Sequence, residues 1–529
     1  MQLKRTANNW VIYFSILLVL GILFRGINLD KKVYWYDETF TSLRVAGYTE
    51  AEAVENLSKN RLIRVEEILK YQRFNPEKSV VDTIKSLATE DTQHPPLYYG
   101  LARFWMQQFG SSITAMRSFA AVLSLLAFPC IYWLCIELFD SPLTGWVAVS
   151  LIAVSPFHLA YAQQSRQYGL WAVTILFSCA ALLRAIRVKT KLSWGIYAVA
   201  LAASLYTFLF SGLVAIGHAI YVLFLEKFRR RSPIITAYIR ASLAGFLIFV
   251  PWLIVVIVNF SQAKQVTSWT AIKGNFIGLF KSWVGNLGRV FCETQNEKID
   301  QLVSLGVLIL VIYALYFLWR DAPQPARLFV FLLIGITAAA LILPDLIVGG
   351  IRSTSARYLI PSYLGSELAV AYLIGNNLEN FLNRSKANIS FSTLMIMLLF
   401  TGGIVSCGIN SQAEAWWNNQ GNPVVARAIN QAANPIVISD THIADILSMS
   451  HLLDPKVRLL IQPRCYTCRI NSSSETELYF PKVPGSFSDV FLFSTLYSEL
   501  WIQELKKQKS DRIELVLQSY ESSLWRLKQ

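Results

Sequence analysis

The sequence is poor in charged residues. Only 16% of its 529 residues are Asp, Glu, Lys or Arg, whereas soluble domains carry roughly 25%. Hydrophobic residues make up 54% of the chain, and they gather in runs of about 17–22 residues, the length of a helix that crosses roughly 30 Å of hydrocarbon. This composition excludes a soluble enzyme and predicts a polytopic integral membrane protein.

Sequence signals for cofactors are also missing. There is no phosphate-binding glycine loop, no 20–50-residue repeat and no low-complexity linker. The histidines are dispersed, so no cofactor is expected and no divalent metal is required. Five of the seven cysteines lie in or beside apolar runs, where thiols pack as small hydrophobes. Cys465 and Cys468 form a single Cys-Tyr-Thr-Cys pair, which is compatible with a disulfide outside the cytosol.

The net charge of +14 is arranged as short basic clusters between apolar runs. Such clusters orient a membrane protein with its positive loops in the cytosol, and we expect no nucleic-acid binding because no soluble segment carries a basic stripe with interleaved aromatic residues. The basic clusters lie at 1–5, 184–191, 226–231, 320–327 and 383–386.

Eleven apolar runs are candidate spans, the first of them read as uncleaved because no cleavage site follows it. They are 10–26, 113–138, 143–160, 168–186, 192–209, 212–226, 238–258, 301–319, 327–345, 358–376 and 390–409. Eleven crossings put every basic cluster in the cytosol and the segments 27–112, 161–167, 259–300, 346–357 and 411–529 outside. A full crossing by the shorter run 96–109 would place the basic cluster 184–191 outside the cytosol, against the tendency of basic loops to stay inside. We therefore predict that 96–109 is an interfacial or re-entrant helix.

The predicted fold is therefore mainly α: a transmembrane helical bundle of about 11–13 spans over residues 1–410. After residue 410, short apolar runs at 435–440, 458–462 and 489–494 alternate with helix-like stretches at 443–453 and 496–508. This alternation predicts a small extramembrane α/β domain over 411–529.

Two candidate functional motifs lie in the outer loop 27–112. In the first, Tyr-Trp-Tyr-Asp37-Glu38-Thr, adjacent acids stand among aromatic residues beside the first span, where a carboxylate can act as a base towards a hydroxyl or amine. The alternative is an interfacial aromatic belt with solvated acids. The second, His94-Pro-Pro-Leu-Tyr98-Tyr, starts a helix with a histidine that can bond a phosphate or carboxylate, or that is simply a satisfied polar group.

Two further motifs carry arginines on the same predicted side. Gln-Gln-Ser-Arg166-Gln-Tyr168 lies between two spans, where an arginine needs an anionic ligand or an acid such as Asp37, unless it snorkels to lipid headgroups. Gly-Gly-Ile-Arg352-Ser-Thr-Ser-Ala-Arg357-Tyr358 combines two arginines with hydroxyls and flexible glycines. That combination suits a phosphate at the bilayer surface, and headgroup anchoring is its alternative.

Taken together, these four motifs resemble glycosyltransferase family 39 and its GT-C relatives, which include protein O-mannosyltransferases and bacterial aminoarabinose transferases. The resemblance rests on Asp37-Glu38 after the first span, His94-Pro-Pro-Leu-Tyr98-Tyr, the turn with Arg166 and Tyr168, and Arg357-Tyr358-Leu-Ile-Pro, and it covers about residues 1–410.

The resemblance implies an inverting transferase that takes a sugar from a polyprenyl-phosphate carrier on the exoplasmic face. Asp37 matches the family's catalytic acid and is implied to act as base on the acceptor, with Glu38 its neighbour. Arg166 and Arg357 are implied to hold the donor phosphate, and His94, Tyr98, Tyr168, Arg352 and Tyr358 are further expected substrate-binding residues. The acceptor is a lipid, glycan or protein, and the expected location is a bacterial plasma membrane, in contact with membrane lipids.

Two other functions remain open from the sequence. A lipid or sugar transporter or flippase also needs many spans, but it predicts charges near the bilayer centre and often repeated halves, which are not evident. A catalytically silent partner in a cell-envelope complex is the third possibility. The long charged run with Arg61, Arg64, Glu66, Glu67, Lys70 and Arg73 is predicted to form amphipathic helices on the membrane.

Overall fold

The computed structural model describes residues 2–229, 232–383, 391–416, 422–465, 482–495, 499–508, 512–519 and 522–528. The chain begins with a long apolar helix, α1 (Gln2–Gly26). The outer loop that follows contains five helices and one short strand. They are α2 (Tyr36–Val45), α3 (Glu50–Leu57), β1 (Ile63–Arg64), α4 (Val65–Leu69), α5 (Val80–Glu90) and α6 (Leu97–Phe109), with a 3-10 turn at Lys70–Gln72.

The next part of the chain is a helical bundle. Its helices are α7 (Ile113–Ser124), α8 (Ala127–Phe139), α9 (Pro142–Ala153), α10 (Pro156–Gln163), α11 (Tyr168–Val188), α12 (Lys191–Thr207), α13 (Ser211–Leu225), α14 (Pro233–Val258), α15 (Phe260–Val266), α16 (Phe276–Phe291), α17 (Glu297–Asp321), α18 (Gln324–Ile347), α19 (Ile360–Asn383) and α20 (Phe391–Gln412). Three 3-10 turns lie at Ser268–Ala271, Arg352–Thr354 and Ala356–Leu359.

The described part of each predicted apolar run is mainly helical. Among the described residues, five stretches are long and apolar enough to cross a bilayer: Ile113–Phe139, Tyr168–Val188, Pro233–Val258, Glu297–Asp321 and Gln324–Ile347. Helices α9 and α10 make a sixth if their bent pair is one span, and Trp10–Gly26, Ser211–Leu225 and Ile396–Gln412 are shorter apolar helices. The prediction of an integral membrane protein with a mainly α fold is confirmed, while the number of crossings stays a prediction.

Two local features shape the outer side of the bundle. Helices α9 and α10 meet at 59°, because Pro156 at the start of α10 cannot continue the hydrogen bonding of α9 and Ser155 caps the new helix. Helix α6 has 13 residues and is about 20 Å long at 1.5 Å per residue, too short to cross the hydrocarbon. The run 96–109 is therefore a short helix beside the bundle.

The α/β domain follows the bundle. Its elements are α21 (Asn422–Gln431), β2 (Pro435–Ser439), α22 (Ile443–Ser450), β3 (Arg458–Ile461), β4 (Asp489–Thr495), α23 (Glu499–Gln508), β5 (Ile513–Gln518) and β6 (Ser522–Leu527). The sheet order is β1-β3-β2-β4-β6-β5, in which β2 pairs in parallel with both β3 and β4. The predicted mixed α/β fold near the C-terminus is thus confirmed, while the bounds of the domain stay a prediction.

The outer loop and the α/β domain share a sheet and a core. Strand β1, from the outer loop, pairs antiparallel with β3. Leu43, Ile68 and Tyr71 of the loop belong to the same buried cluster as Val437 and Leu447 of the domain. The predicted boundary near residue 410 therefore separates two stretches of chain that pack as one body, and the charged run 61–73 packs on α22 through α4.

The described cysteines fall into two groups, free thiols and a disulfide-bonded residue. The five in or near the apolar runs, Cys130, Cys135, Cys179, Cys292 and Cys407, are free thiols that are buried or half-buried. Cys465 is disulfide-bonded, and Cys468 lies outside the described residues.

Candidate functional site

Helix α2 presents the acidic pair. It begins at Tyr36, directly after an extended segment, so that Asp37 and Glu38 lie in its first turn, where the helix dipole favours negative charge. Consecutive residues of an α-helix are rotated by about 100°, so the two carboxylates point in different directions. Their surroundings differ accordingly.

Asp37 meets both predicted phosphate-binding arginines. Its Oδ2 accepts a hydrogen bond of 2.6 Å from Nη1 of Arg357, and its backbone carbonyl accepts one of 3.1 Å from Nη1 of Arg166. The side chains of Asp37 and Arg357 are 18% and 19% exposed, so solvent or a ligand can reach the pair. Arg166 also donates to the Thr41 hydroxyl at 3.1 Å, which fixes it against α2.

His94 lies behind Arg166. Its Nε2 is 3.1 Å from Nη2 of Arg166 and its Nδ1 is 3.0 Å from the side-chain amide of Gln167. Because arginine can only donate, Nε2 of His94 is the acceptor of the bond from Arg166. Burial, and then the charge of Arg166, lower the pKa of His94 well below its usual range, so the imidazole is neutral.

Tyrosine rings surround the two guanidinium groups. The ring centroid of Tyr168 is 5.7 Å from Arg166 and 5.6 Å from Arg357, and that of Tyr358 is 5.5 Å from Arg357. Tyr358 also stacks on Phe208 with a centroid distance of 6.0 Å. The structure thus brings six of the predicted site residues into one cluster, which we call the Asp37 cluster: Asp37, His94, Arg166, Tyr168, Arg357 and Tyr358.

Glu38 turns towards the bundle. It is fully buried, and its carboxylate accepts bonds of 2.8 and 2.7 Å from Nε and Nη2 of Arg117 and one of 2.8 Å from the backbone N–H of Ser165. The remaining donors of Arg117 reach the backbone carbonyls of Leu29, Lys32 and Val33 at 2.7–2.9 Å. All five guanidinium N–H groups are therefore used.

Two predicted site residues lie apart from the Asp37 cluster. Tyr98 is fully buried and packs against Tyr99 and Phe119. Arg352 donates to the Asp345 carboxylate at 2.9 Å and to a backbone carbonyl at 3.0 Å, an arrangement that closes the turn after α18.

A cleft of about 1290 Å³ opens beside the Asp37 cluster. Arg357 lies in its wall, together with Trp35, Tyr161 and Gln164 from segments around the cluster. The other walls come from α16, the first turns of α17, the end of α20 and the start of α21. The volume exceeds the roughly 300–1,000 Å³ of ordinary small-molecule sites, so two substrate groups fit together.

The cleft wall carries charges of both signs. The cations are Lys281, Arg289, Arg357 and Arg427, and the acids are Glu293, Glu297, Asp300 and Glu414. Arg289 bonds to Glu293 at 3.1 Å and to Asn286 at 3.1 Å, so part of this charge is already paired. In the described part of the chain, no group of three or more His, Cys, Asp or Glu side chains is arranged to hold a metal ion.

Sequence reasoning missed Arg117 and α16. Arg117 lies inside an apolar run, and a charge at such a position requires a partner. The presence of this charge in a candidate span was the signal from which a buried ion pair could have been predicted. Helix α16 falls in a segment without a spanning-length apolar run, although its apolar residues recur at helical spacing, with Leu279 and Val290 buried and Phe276 and Phe280 exposed.

The comparisons with known proteins agree with this architecture. Residues 93–255 match the family described as dolichyl-phosphate-mannose-protein mannosyltransferase, a stretch that contains His94 and Arg166 but not Asp37 or Arg357. A search of curated protein sequences finds no match.

Solved structures match over most of the chain. Apo ArnT from Cupriavidus metallidurans superposes with a TM-score of 0.54 at 13% identity, covering 98% of each chain. The same protein bound to undecaprenyl phosphate gives a TM-score of 0.50 at 11% identity, again over 98% of each chain. An oligosaccharyltransferase from Archaeoglobus fulgidus gives 0.49 at 12% identity, over 86% of this chain and 65% of the other. The resemblance to GT-C glycosyltransferases is confirmed, and the chain has their membrane-protein fold.

Proposed function

We propose that this protein transfers a sugar from a polyprenyl-phosphate carrier to a lipid, glycan or protein acceptor on the exoplasmic face, with inversion and with Asp37 as the base. The observation that carries the proposal is the 2.6 Å contact between Asp37 and Arg357 at the wall of the cleft. It puts a carboxylate that can take a proton beside a cation that can hold a phosphate.

The polyprenyl-phosphate donor is supported by fold and charge. ArnT, which has the same fold, is described in complex with undecaprenyl phosphate. In the described part of this chain, the buried Nε groups of Arg166 and Arg357 have no hydrogen-bond partner. Buried N–H groups without partners are costly, so these two donors are suited to phosphate oxygens.

The transfer follows from this arrangement. Asp37 takes the proton of an acceptor hydroxyl or amine, whose oxygen or nitrogen then attacks the anomeric carbon. The bond from that carbon to the phosphate oxygen breaks, and the electron pair leaves with the polyprenyl phosphate. Arg357 and Arg166 stabilise the charge on the departing phosphate, so no acid is needed to protonate it.

The other residues of the Asp37 cluster support the two arginines. Neutral His94 accepts from Arg166 and so orients it without competing for the phosphate as a cation. Tyr168 lies against both guanidinium groups and keeps them side by side. Outside the cluster, Glu38 fixes the helix that bears the base, Tyr98 packs in the core, and Arg352 closes the turn after α18 through Asp345.

An exoplasmic location is supported by charge. Helix α17 begins at the cleft with Glu297 and Asp300, and its last turn carries Arg320 of the basic cluster 320–327. Because basic loops remain in the cytosol, the cleft would open on the other side. A bacterial plasma membrane agrees with the carrier found in ArnT.

The test compares cells that lack the gene with cells that express wild type, Asp37→Asn or Glu66→Gln. Extracellular glycans and lipids are compared by mass spectrometry. Glu66 is an exposed acid of the same outer loop, paired with exposed Arg73, and so serves as the matched control. We expect wild type and Glu66→Gln to restore a sugar-bearing product and Asp37→Asn to reduce it by about 10²–10⁴-fold.

Full product formation by an inserted, folded Asp37→Asn protein would end the assignment. Purified protein in vesicles is the second arm of the test. If it moves labelled polyprenyl phosphate across the bilayer and glycosylates nothing, the function is that of a flippase.

A further inference from the structure

Helix α22 of the α/β domain lies against the helix that carries Asp37. The Tyr36 hydroxyl is 3.1 Å from Nδ1 of His442, the residue that caps α22. The Ser448 hydroxyl donates to the backbone carbonyl of Tyr34 at 2.6 Å, and the Thr39 hydroxyl lies 3.4 Å from the carbonyl of Ala444. These contacts join residues that are more than 400 positions apart in the chain.

The bonding of His442 identifies its donors and acceptors. The backbone N–H of Ala444 points to Nδ1 at 3.3 Å, as it does in an N-cap. Nδ1 is then an acceptor, so the Tyr36 hydroxyl donates to it and the proton of the imidazole is on Nε2. That Nε2 faces the carboxylate of Glu50 at 3.8 Å, inside the buried ion pair between Glu50 and Arg44.

Asp37 is thereby held from both sides. The residue before it, Tyr36, is bonded to the α/β domain, and the residue after it, Glu38, is bonded to the bundle through Arg117. With both neighbours fixed, the backbone of the first turn of α2 has little freedom, and the direction of the Asp37 side chain is set by two independent contacts.

We propose that the α/β domain is part of the catalytic scaffold and that His442 is a positioning residue, which acts through Tyr36 to hold Asp37 against Arg357 at the wall of the cleft. This inference rests on the proposed function of Asp37. His442 is 4% exposed and its Nδ1 is bonded to Tyr36, so it acts through Tyr36 and not on the substrate.

The experiment uses the full-length protein with Tyr36→Phe, His442→Ala, both changes together, and His442→Asn. Tyr36→Phe removes one hydroxyl and leaves the ring packed on Phe40. Asparagine is a good N-cap and offers an oxygen near the position of Nδ1, so it is the conservative rescue. Product formation in cells is compared with binding of undecaprenyl phosphate by purified protein and with its thermal midpoint.

We expect Tyr36→Phe and His442→Ala each to lower product formation about 10-fold, since misplacement of a reacting group by about 1 Å can cost up to 10²-fold. The double variant is no worse than either single one, because both remove the same contact. His442→Asn restores most of the product. Undecaprenyl phosphate binding is retained in every variant, because the arginines are untouched.

Two outcomes overturn the inference. One is product formation within twofold of wild type in Tyr36→Phe. The other is loss of binding and thermal stability in parallel with product, which identifies the contact as structural only. Asp37→Asn is measured beside these variants: if it keeps its activity, the proposed function fails, and if it alone is inactive, only the positioning role fails.

Discussion

Asp37 and Glu38 are neighbours in the sequence with opposite surroundings. Glu38 is fully buried and bonded by Arg117 and a backbone N–H, while among the described residues Asp37 receives one side-chain bond, from Arg357, and is 18% exposed. A buried carboxylate with both oxygens bonded stabilises a structure. One that is reachable and only partly bonded is available for proton transfer.

The difference arises from the helix that carries both residues. A rotation of about 100° per residue turns one carboxylate towards Arg357 and the other towards α7, which bears Arg117. Two adjacent acids therefore need not form a catalytic pair. Replacing each acid in turn by its amide is the most direct way to test the comparison.

The largest effect is expected for Glu38→Gln. Removing this charge leaves the buried guanidinium of Arg117 without a counter-ion, and breaking a buried pair in this way costs about 3–5 kcal/mol. We expect a clear fall in the thermal midpoint of the detergent-solubilised protein. Asp37→Asn should leave the midpoint nearly unchanged, because its partner Arg357 is partly exposed. Equal destabilisation by the two changes would contradict the distinction.

A smaller effect is expected for Arg357→Lys, with Arg352→Lys as its control. Lysine keeps the charge but loses the planar fork that can hold Asp37 and a phosphate at the same time. The loss of one charge-assisted bond, about 1.5–3 kcal/mol, corresponds to roughly 10–100-fold weaker binding of undecaprenyl phosphate. Arg352 bonds to Asp345 and not to the Asp37 cluster. The affinity of Arg352→Lys for undecaprenyl phosphate should therefore stay within about twofold of wild type, a change smaller than the tenfold that corresponds to about 1.4 kcal/mol.

These two arginines also show what the sequence could not predict. Both were expected to bind phosphate, because the same hydroxyl-rich stretch carries them five positions apart. Which one faces the cleft depends on the 3-10 turns at Arg352–Thr354 and Ala356–Leu359, whose course no local pattern specifies. The helices were predictable because apolar length and the need to satisfy backbone hydrogen bonds leave few alternatives in a bilayer.

Long-range pairings were beyond sequence reasoning for a related reason. The Glu38 to Arg117 pair joins residues 79 positions apart, and the contacts of α22 with α2 join positions over 400 apart. Motif order placed Asp37, His94, Arg166 and Arg357 on one predicted side, and the structure brings them together. The packing of the α/β domain on the outer loop was not predictable from the alternation of apolar and polar residues, because β1 is only two residues long.

The smallest effect concerns Asp91, a third acid of the same region. It is buried as Glu38 is, but the guanidinium of Arg44 is more distant, at 4.0 Å, and its other neighbour, His94 at 3.9 Å, is neutral. Burial outweighs the opposing charges of Arg44 and Arg166 and raises the pKa of Asp91 to about 6.

Because this pKa is higher in the folded than in the unfolded protein, the contribution of Asp91 to stability is present at low pH and is lost as the pH rises from about 4 to about 6. The quantity to measure is the thermal midpoint of Asp91→Asn minus that of wild type. This difference should be about 2 °C larger at pH 7 than at pH 4. A difference between the two proteins that does not change with pH would show that Asp91, like Glu38, is held as a fully compensated charge.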